Sequence, residues 1–166
     1  MKVEIRKPFI SDAKRFYEIL NNPNFTYFTA KPKTVKAEKE WLRNLLAKWS
    51  EGKEFCFAVL ANDKVVGGAG IIISNERNRE HTCNLGYFVD KAYWGKGIAT
   101  KAVRLLEKYI QENYDLFRIQ IIMAKENIGS QKVAIKAGYK KEGLMRKSLK
   151  IADSYHDSYL YAKLLR

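Results

Sequence analysis

The residues best suited to chemistry in this 166-residue chain are Trp94-Gly95-Lys96-Gly97-Ile98-Ala99-Thr100. They follow an apolar run, Leu85-Gly86-Tyr87-Phe88-Val89, and precede Ala102, Val103, Leu105, Leu106, Tyr109 and Ile110 at helical spacing. A strand, a glycine-punctuated turn and a helix in that order can aim free N–H groups and a helix's positive end at one anion, typically a phosphate. Gly95 and Gly97 lack a Cβ, so the chain can turn sharply and a ligand can come close to the backbone. The same residues also suit a plain strand–turn–helix corner, where glycines only supply positive φ.

Other reactive types are sparse. His81 and His156 are isolated, which gives neither a metal site nor a Ser/His/Asp arrangement. Cys56 and Cys83 are too few and too far apart for zinc and sit in strand-like apolar surroundings, as buried, reduced core residues of a cytoplasmic protein do. The start, Met-Lys-Val-Glu-Ile-Arg-Lys, has no signal-peptide h-region, and no apolar run approaches the ~20 residues that cross a bilayer. The net charge of +13 repels small polycations and attracts polyanions. It reads either as a solvated lysine-rich surface or as a field for an anionic cofactor and an acidic or nucleic-acid-associated partner.

The elements that must position the turn are legible in outline. Val3–Arg6 reads as an edge strand, and Ser11 and Asp12 offer an N-cap for a helix to about Asn21, broken by Asn21-Asn22-Pro23-Asn24. Thr34 caps a longer helix with an apolar stripe of Trp41, Leu42, Leu45, Leu46 and Trp49, ending at Gly52. Phe55–Leu60 and Val65–Ile73 flank Asn62-Asp63 as a hairpin, and Thr82–Val89 is the next strand. The helix after the turn runs to about Asn113, and Leu116–Met123 is an apolar strand. Ser130 can cap a short helix 131–137 closed by Gly138, Leu144 ends a short strand, and Lys150–Leu164 is the last one. The order β-α-α-β-β-β-α-β-α-β-β, with a crossover helix between parallel strands, gives an α/β domain: a mixed, mostly antiparallel sheet flanked by helices on both faces. One domain over 1–166 is expected.

The element order, the strand–turn–helix and the later Glu126-Asn127-Ile128-Gly129-Ser130…Ala137-Gly138-Tyr139 resemble the GNAT superfamily of acyl-CoA N-acyltransferases. Leu85-Gly86-Tyr87…Tyr93-Trp94-Gly95-Lys96-Gly97-Ile98-Ala99-Thr100 is most similar to the ribosomal-protein N-terminal acetyltransferases, as is Asp157-Ser158-Tyr159. The family signature (Gln or Arg, two residues, Gly, one residue, Gly or Ala) falls on Trp94, Gly97 and Ala99. The resemblance implies acetyl-CoA as co-substrate, with no metal. The N–H groups of Gly95, Lys96, Gly97, Ile98, Ala99 and Thr100 would hold the coenzyme A pyrophosphate, and Lys96 could add a charge or be solvated. Tyr87, Phe88 and Val89 would be the strand that pairs with the pantetheine, Val89 N–H polarising the acetyl carbonyl. Asn127 would contact the cofactor, and Ser130 would either donate to the departing thiolate or merely cap its helix.

Three positions depart from the pattern. Trp94 stands where the broad superfamily has Gln or Arg, although the aromatic-Trp-Gly form is usual in the subgroup resembled. The tyrosine that many members place four residues before the Gly-Tyr pair is Ala134, leaving Tyr139, Tyr155 or Ser130 as substitutes. Asn84 stands where relatives often have Glu, so an ammonium acceptor would rely on Glu80, His81 or water. An α-amine, pKa ~8, needs less help than a lysine at ~10.4. The expected activity is therefore acetyl transfer by direct attack to a protein N-terminus, a ribosome-associated one among the candidates, or to a small amine. The contrasting reading is a non-catalytic module that binds acyl-CoA or nucleic acid. The expected form is a cytoplasmic monomer or homodimer, away from membranes.

Overall fold

A computed structural model describes residues 1–28 and 31–165. Seven strands form one sheet in the order β1-β2-β3-β4-β5-β7-β6, where β1 is Val3–Arg6, β2 Glu54–Ala61, β3 Lys64–Ile73, β4 Thr82–Val89, β5 Arg118–Ala124, β6 Lys140–Ile151 and β7 Ser154–Leu164. Every neighbouring pair is antiparallel except β4 with β5. The helices are α1 (Asp12–Leu20), α2 (Val35–Ala47), α3 (Ile98–Asn113) and α4 (Ile128–Ala137). The expected element order and mixed, mostly antiparallel sheet are what the chain builds.

Period-two alternation along β2 divides the core in two. Phe55, Phe57 and Val59 face α3 and α4 in the larger cluster, with Ile98, Val103, Leu106, Ile110 and Ala134. Cys56 and Ala58 face α1 and α2 in the smaller one, with Phe16, Leu42, Leu45 and Phe88. Helices therefore cover both faces. Burial pushes both thiols up to about 12, so Cys56 and Cys83 are inert core residues.

Small residues on β3 let β4 approach. A Cβ on Gly67 would lie 2.1 Å from the Phe88 carbonyl oxygen, and one on Gly68 would lie 2.5 Å from the Phe88 ring. The Asn62-Asp63 hairpin forms as expected, both residues taking positive φ.

Several boundaries differ from the sequence reading, each for a local reason. The helix after Thr34 stops at Ala47, and a separate 3-10 turn, Trp49–Glu51, carries the chain to a left-handed Gly52. Ser11 makes no side-chain cap; Asp12 instead accepts from Phe9 N at 2.7 Å and pairs with Arg6. Asn127, not Ser130, caps α4, accepting from Ser130 N at 3.0 Å, so that helix starts at Ile128. The strand expected to end at Leu144 runs on to Ile151, and the hairpin to β7 lies at Ala152-Asp153. An irregularity between Met145 and Leu149, with Lys147 at φ 51°, breaks its alternation.

Candidate active site

The site begins where two strands part. The parallel register of β4 with β5 covers only Thr82↔Arg118, Cys83↔Ile119 and Asn84↔Gln120. Beyond Asn84 the strands splay, leaving a cleft of about 250 Å³ lined by Leu85, Gly86 and Tyr87 on one side and by Ile121 to Ala124 on the other.

Hydrogen-bond parity shows which backbone groups face it. Asp90 N donates to Val66 O at 2.8 Å and Ser74 N to Thr82 O at 2.9 Å, so the even-numbered residues of β4 bond to β3. Tyr87 and Val89 consequently turn their backbone groups toward the cleft, past the last β5 partner. On β5, Lys125 N donates to Asp157 O at 2.9 Å, so odd-numbered residues bond to β7 and Ile122 and Ala124 face the cleft. Two strand edges thus face each other, the Ala124 carbonyl taken by Asn127 N and the Val89 carbonyl by Trp94 Nε1 but the N–H groups of both residues left to the slot, into which an extended, amide-bearing ligand fits as a strand.

The glycine turn lies at one end of this slot. Asp90 fixes the approach: its Oδ1 accepts from Ala92 N at 3.0 Å, and its carboxylate pairs with Arg15. Gly95 and Gly97 both have φ of 74°, a left-handed conformation that favours glycine, and Gly97 is the N-cap of α3. A Cβ at either would meet no atom within 4 Å, so the backbone conformation and not crowding demands glycine. Among the described residues, the N–H groups of Gly95, Lys96, Gly97, Ile98, Ala99 and Thr100 have no hydrogen-bond acceptor. Six unmet donors at the start of a sixteen-residue helix make this turn a candidate anion cradle. Lys96 is tied to its own turn, with Nζ 2.9 Å from Ala92 O and 5.1 Å from the Tyr93 ring.

The first turn of α4 closes the floor. Asn127 and Ser130 both line the cleft, and the Ser130 Oγ lies 2.8 Å from the Tyr87 hydroxyl. Burial pushes the Tyr87 phenol up to about 12, against the opposing effect of that hydrogen bond. Phe88 is placed differently from its neighbours: its ring meets Phe16 edge-on at 5.3 Å in the smaller core, and its backbone pairs with Gly68. Of Tyr87, Phe88 and Val89, two face the slot.

The substitute acids and bases fall mostly outside. Tyr139 is buried, and that burial, with the Glu107 carboxylate beside it, raises its phenol far above the usual range. Tyr155 is exposed at the β6–β7 hairpin, and Ala134 is wholly enclosed in the larger core. Among the described residues, neither Glu80, His81 nor any other carboxylate or imidazole lines the cleft.

One wall had no assigned role in the sequence reading. Phe25, Tyr27 and Phe28, in the connection between α1 and α2, line the cleft opposite the strands, and Phe25 packs on Trp94 at 5.9 Å. Three aromatics within four residues of a polar break were the available signal. Leu149 reaches the cleft from beyond the irregularity in β6.

An acetyltransferase (GNAT) domain model matches residues 2–140. This chain belongs to the GNAT family. It is an acetyl-CoA-dependent N-acetyltransferase. The probable N-acetyltransferase YjcK of Bacillus subtilis is 33% identical over 79% of this chain and 73% of its own length. The ribosomal-protein-serine acetyltransferase of Escherichia coli is 28% identical over 66% of this chain and 60% of its own. The structure of RimL, a ribosomal L7/L12 alpha-N-protein acetyltransferase in complex with coenzyme A, superposes with a TM-score of 0.88 at 18% identity, covering 99% of this chain and 94% of that one. For this GNAT enzyme the cradle at 95–100 suits a pyrophosphate, and the open edges of Tyr87, Val89, Ile122 and Ala124 suit the pantetheine amides.

Proposed function

We propose that this enzyme acetylates the α-amine of a protein N-terminus of the ribosomal-protein type, in the cytoplasm, by direct attack on acetyl-CoA. The observation that carries this reading is a cleft along whose lining, among the described residues, no carboxylate or imidazole stands. Without a base, the acceptor must supply its own neutral form. An α-amine with pKa ~8 is partly neutral at physiological pH, whereas fewer than about one lysine in a thousand is at pKa ~10.4. The net charge of +13 favours acidic or ribosome-associated protein acceptors over polyamines, which it repels. The kinship with the Escherichia coli ribosomal-protein-serine acetyltransferase supports the same class.

In this reading the N–H groups of Gly95 to Thr100 hold the pyrophosphate, and Asn127 steadies the arm where it enters the slot. Tyr87 and Val89 pair with the pantetheine as a strand would, fixing the thioester. Val89 N–H, already aimed into the slot, stabilises the oxyanion that forms as the amine attacks. Ser130 donates to the sulfur as the C–S bond breaks. A thiol of pKa near ~8.5 leaves readily with a hydrogen bond and needs no full proton transfer.

Release of free thiol from acetyl-CoA tests the proposal, measured with peptides beginning in Ser or Ala, the same peptides blocked and carrying one lysine, spermidine and an aminoglycoside. Turnover confined to free N-termini is expected. Faster turnover of lysine or spermidine would overturn the acceptor assignment, and coenzyme A binding without turnover of any acceptor would favour the non-catalytic reading.

A further inference from the structure

Ser130 lies within a helix, where a serine hydroxyl ordinarily turns back to a carbonyl three or four residues earlier. Here its Oγ has one hydrogen-bond partner among the described residues, the Tyr87 hydroxyl at 2.8 Å. The same phenol oxygen lies 3.2 Å from the Ser130 carbonyl oxygen. A phenol has one proton, so there are two arrangements. If Tyr87 donates to the carbonyl, the serine proton is spent on the phenol oxygen and none faces the cleft. If Tyr87 donates to Oγ, the serine proton is free to point outward. The second uses the shorter contact, at the usual O–H···O distance, and leaves the Ser130 carbonyl to its helix partner.

We infer that Tyr87 is a positioning residue for the acetyl transfer: its phenol donates to Ser130 Oγ and so directs the serine proton at the departing sulfur. This rests on the assignment of Ser130 as donor to the thiolate. As the tetrahedral intermediate collapses, the C–S bond breaks and its electron pair goes to sulfur. Both hydroxyls keep their protons, and the thiolate takes up the proton shed by the acceptor nitrogen. The chain Tyr87 to Ser130 to sulfur strengthens in that step because each hydroxyl polarises the next. Burial keeps the phenol neutral, and therefore a donor, throughout the working pH range. Tyr87 thus has two separable roles in one strand residue, its backbone toward the pantetheine and its hydroxyl toward Ser130.

A double-mutant cycle on the full chain tests this, with Tyr87→Phe, Ser130→Ala and the pair, reading thiol release from acetyl-CoA with a Ser-starting peptide and, separately, with no acceptor. Hydrolysis in the second arm breaks the same C–S bond whatever the natural amine is. Thermal melting and calorimetry with coenzyme A report folding and binding. The expected result is a loss of about tenfold in kcat for Y87F with KM for acetyl-CoA unchanged, one polar contact being worth roughly that in rate. Y87F should add nothing in the S130A background, because a residue acting through Ser130 has nothing left to act on. Additive losses, a loss confined to KM, or full activity in Y87F while S130A is impaired would overturn the role of Tyr87 alone. Full activity in S130A would remove the assignment of Ser130, and this inference with it. Should Y87F melt well below the parent, the cycle is read at a temperature where every variant is folded and Ser130→Thr is added to it: a retained hydroxyl should keep both the activity and its dependence on Tyr87, and loss of that dependence would overturn the role.

Discussion

The indole Nε1 of Trp94 donates to the Val89 carbonyl oxygen at 2.6 Å, joining the last residue of β4 to the residue that opens the glycine turn. The two candidate binding elements, strand edge and anion cradle, are therefore held in one geometry by a side chain. The tie occupies the Val89 carbonyl and leaves its N–H as the group available to the slot.

Trp94→Phe should keep the packing on Phe25 and remove that tie. The expected loss is ~1 kcal/mol of stability, seen as a melting temperature about 2–4 °C lower. KM for acetyl-CoA should rise several-fold, because Val89 and the turn are no longer held together. An unchanged KM with the expected melting shift would mean that the tie serves only the fold.

Gly97→Ala separates conformation from crowding. The alanine Cβ meets nothing, but a left-handed φ costs an L-residue roughly 1–2 kcal/mol. The melting temperature should fall by about 2–4 °C per kcal/mol, and calorimetry should show coenzyme A bound at least tenfold more weakly. Gly129→Ala, where the new Cβ would lie at an ordinary 3.6 Å from Asn127 Oδ1, should not lower stability. If both variants bind coenzyme A like the parent, the cradle does not hold the pyrophosphate.

What could be read without the fold follows how local its cause is. The turn at 94–100 and the Asn62-Asp63 hairpin are set by glycine, asparagine and aspartate conformations, so both were legible. The cap of α4 was not: Asn127 and Ser130 are both good cap types three residues apart, and only the Asn127 Oδ1 bond to Ser130 N decides between them. β6 is a lysine-rich edge strand with two irregularities, between Lys141 and Gly143 and between Met145 and Leu149, so its twelve residues do not keep the alternation that marks a half-buried strand. The splay of β4 from β5 is a matter of register between strands joined by a long crossover. The contact of Tyr87 with Ser130 spans 43 residues and depends on that splay.

A cleft without a base predicts a particular pH profile. kcat/KM should climb about tenfold per pH unit from pH 6 and level near the amine's own pKa of ~8, since only the neutral amine attacks. Tyr87, pushed up to about 12, introduces no break below pH ~10. Peptides whose first residue shifts the amine pKa should move the plateau with them. A plateau that stays fixed as the peptide changes would reveal a base on the enzyme and sink the proposed acceptor chemistry.

Glu38 gives a stability prediction with a definite sign. It lies 6% exposed on α2, and burial raises its carboxyl to about 7 from an ordinary 4.5. Below pH ~4.5 it is protonated in both folded and unfolded chains, so it imposes no penalty. Between pH ~4.5 and ~7 the unfolded chain ionises first and binds fewer protons, so stability falls as pH rises, and above ~7 the penalty is constant. Glu38→Gln removes the ionisation and keeps the shape. The variant should melt several degrees above the parent at pH 8 and close to it at pH 4.5. Equal melting temperatures at both values would show that the Glu38 carboxylate is solvated in the folded chain, and a variant less stable at pH 8 would mean that its charge is stabilised by a partner.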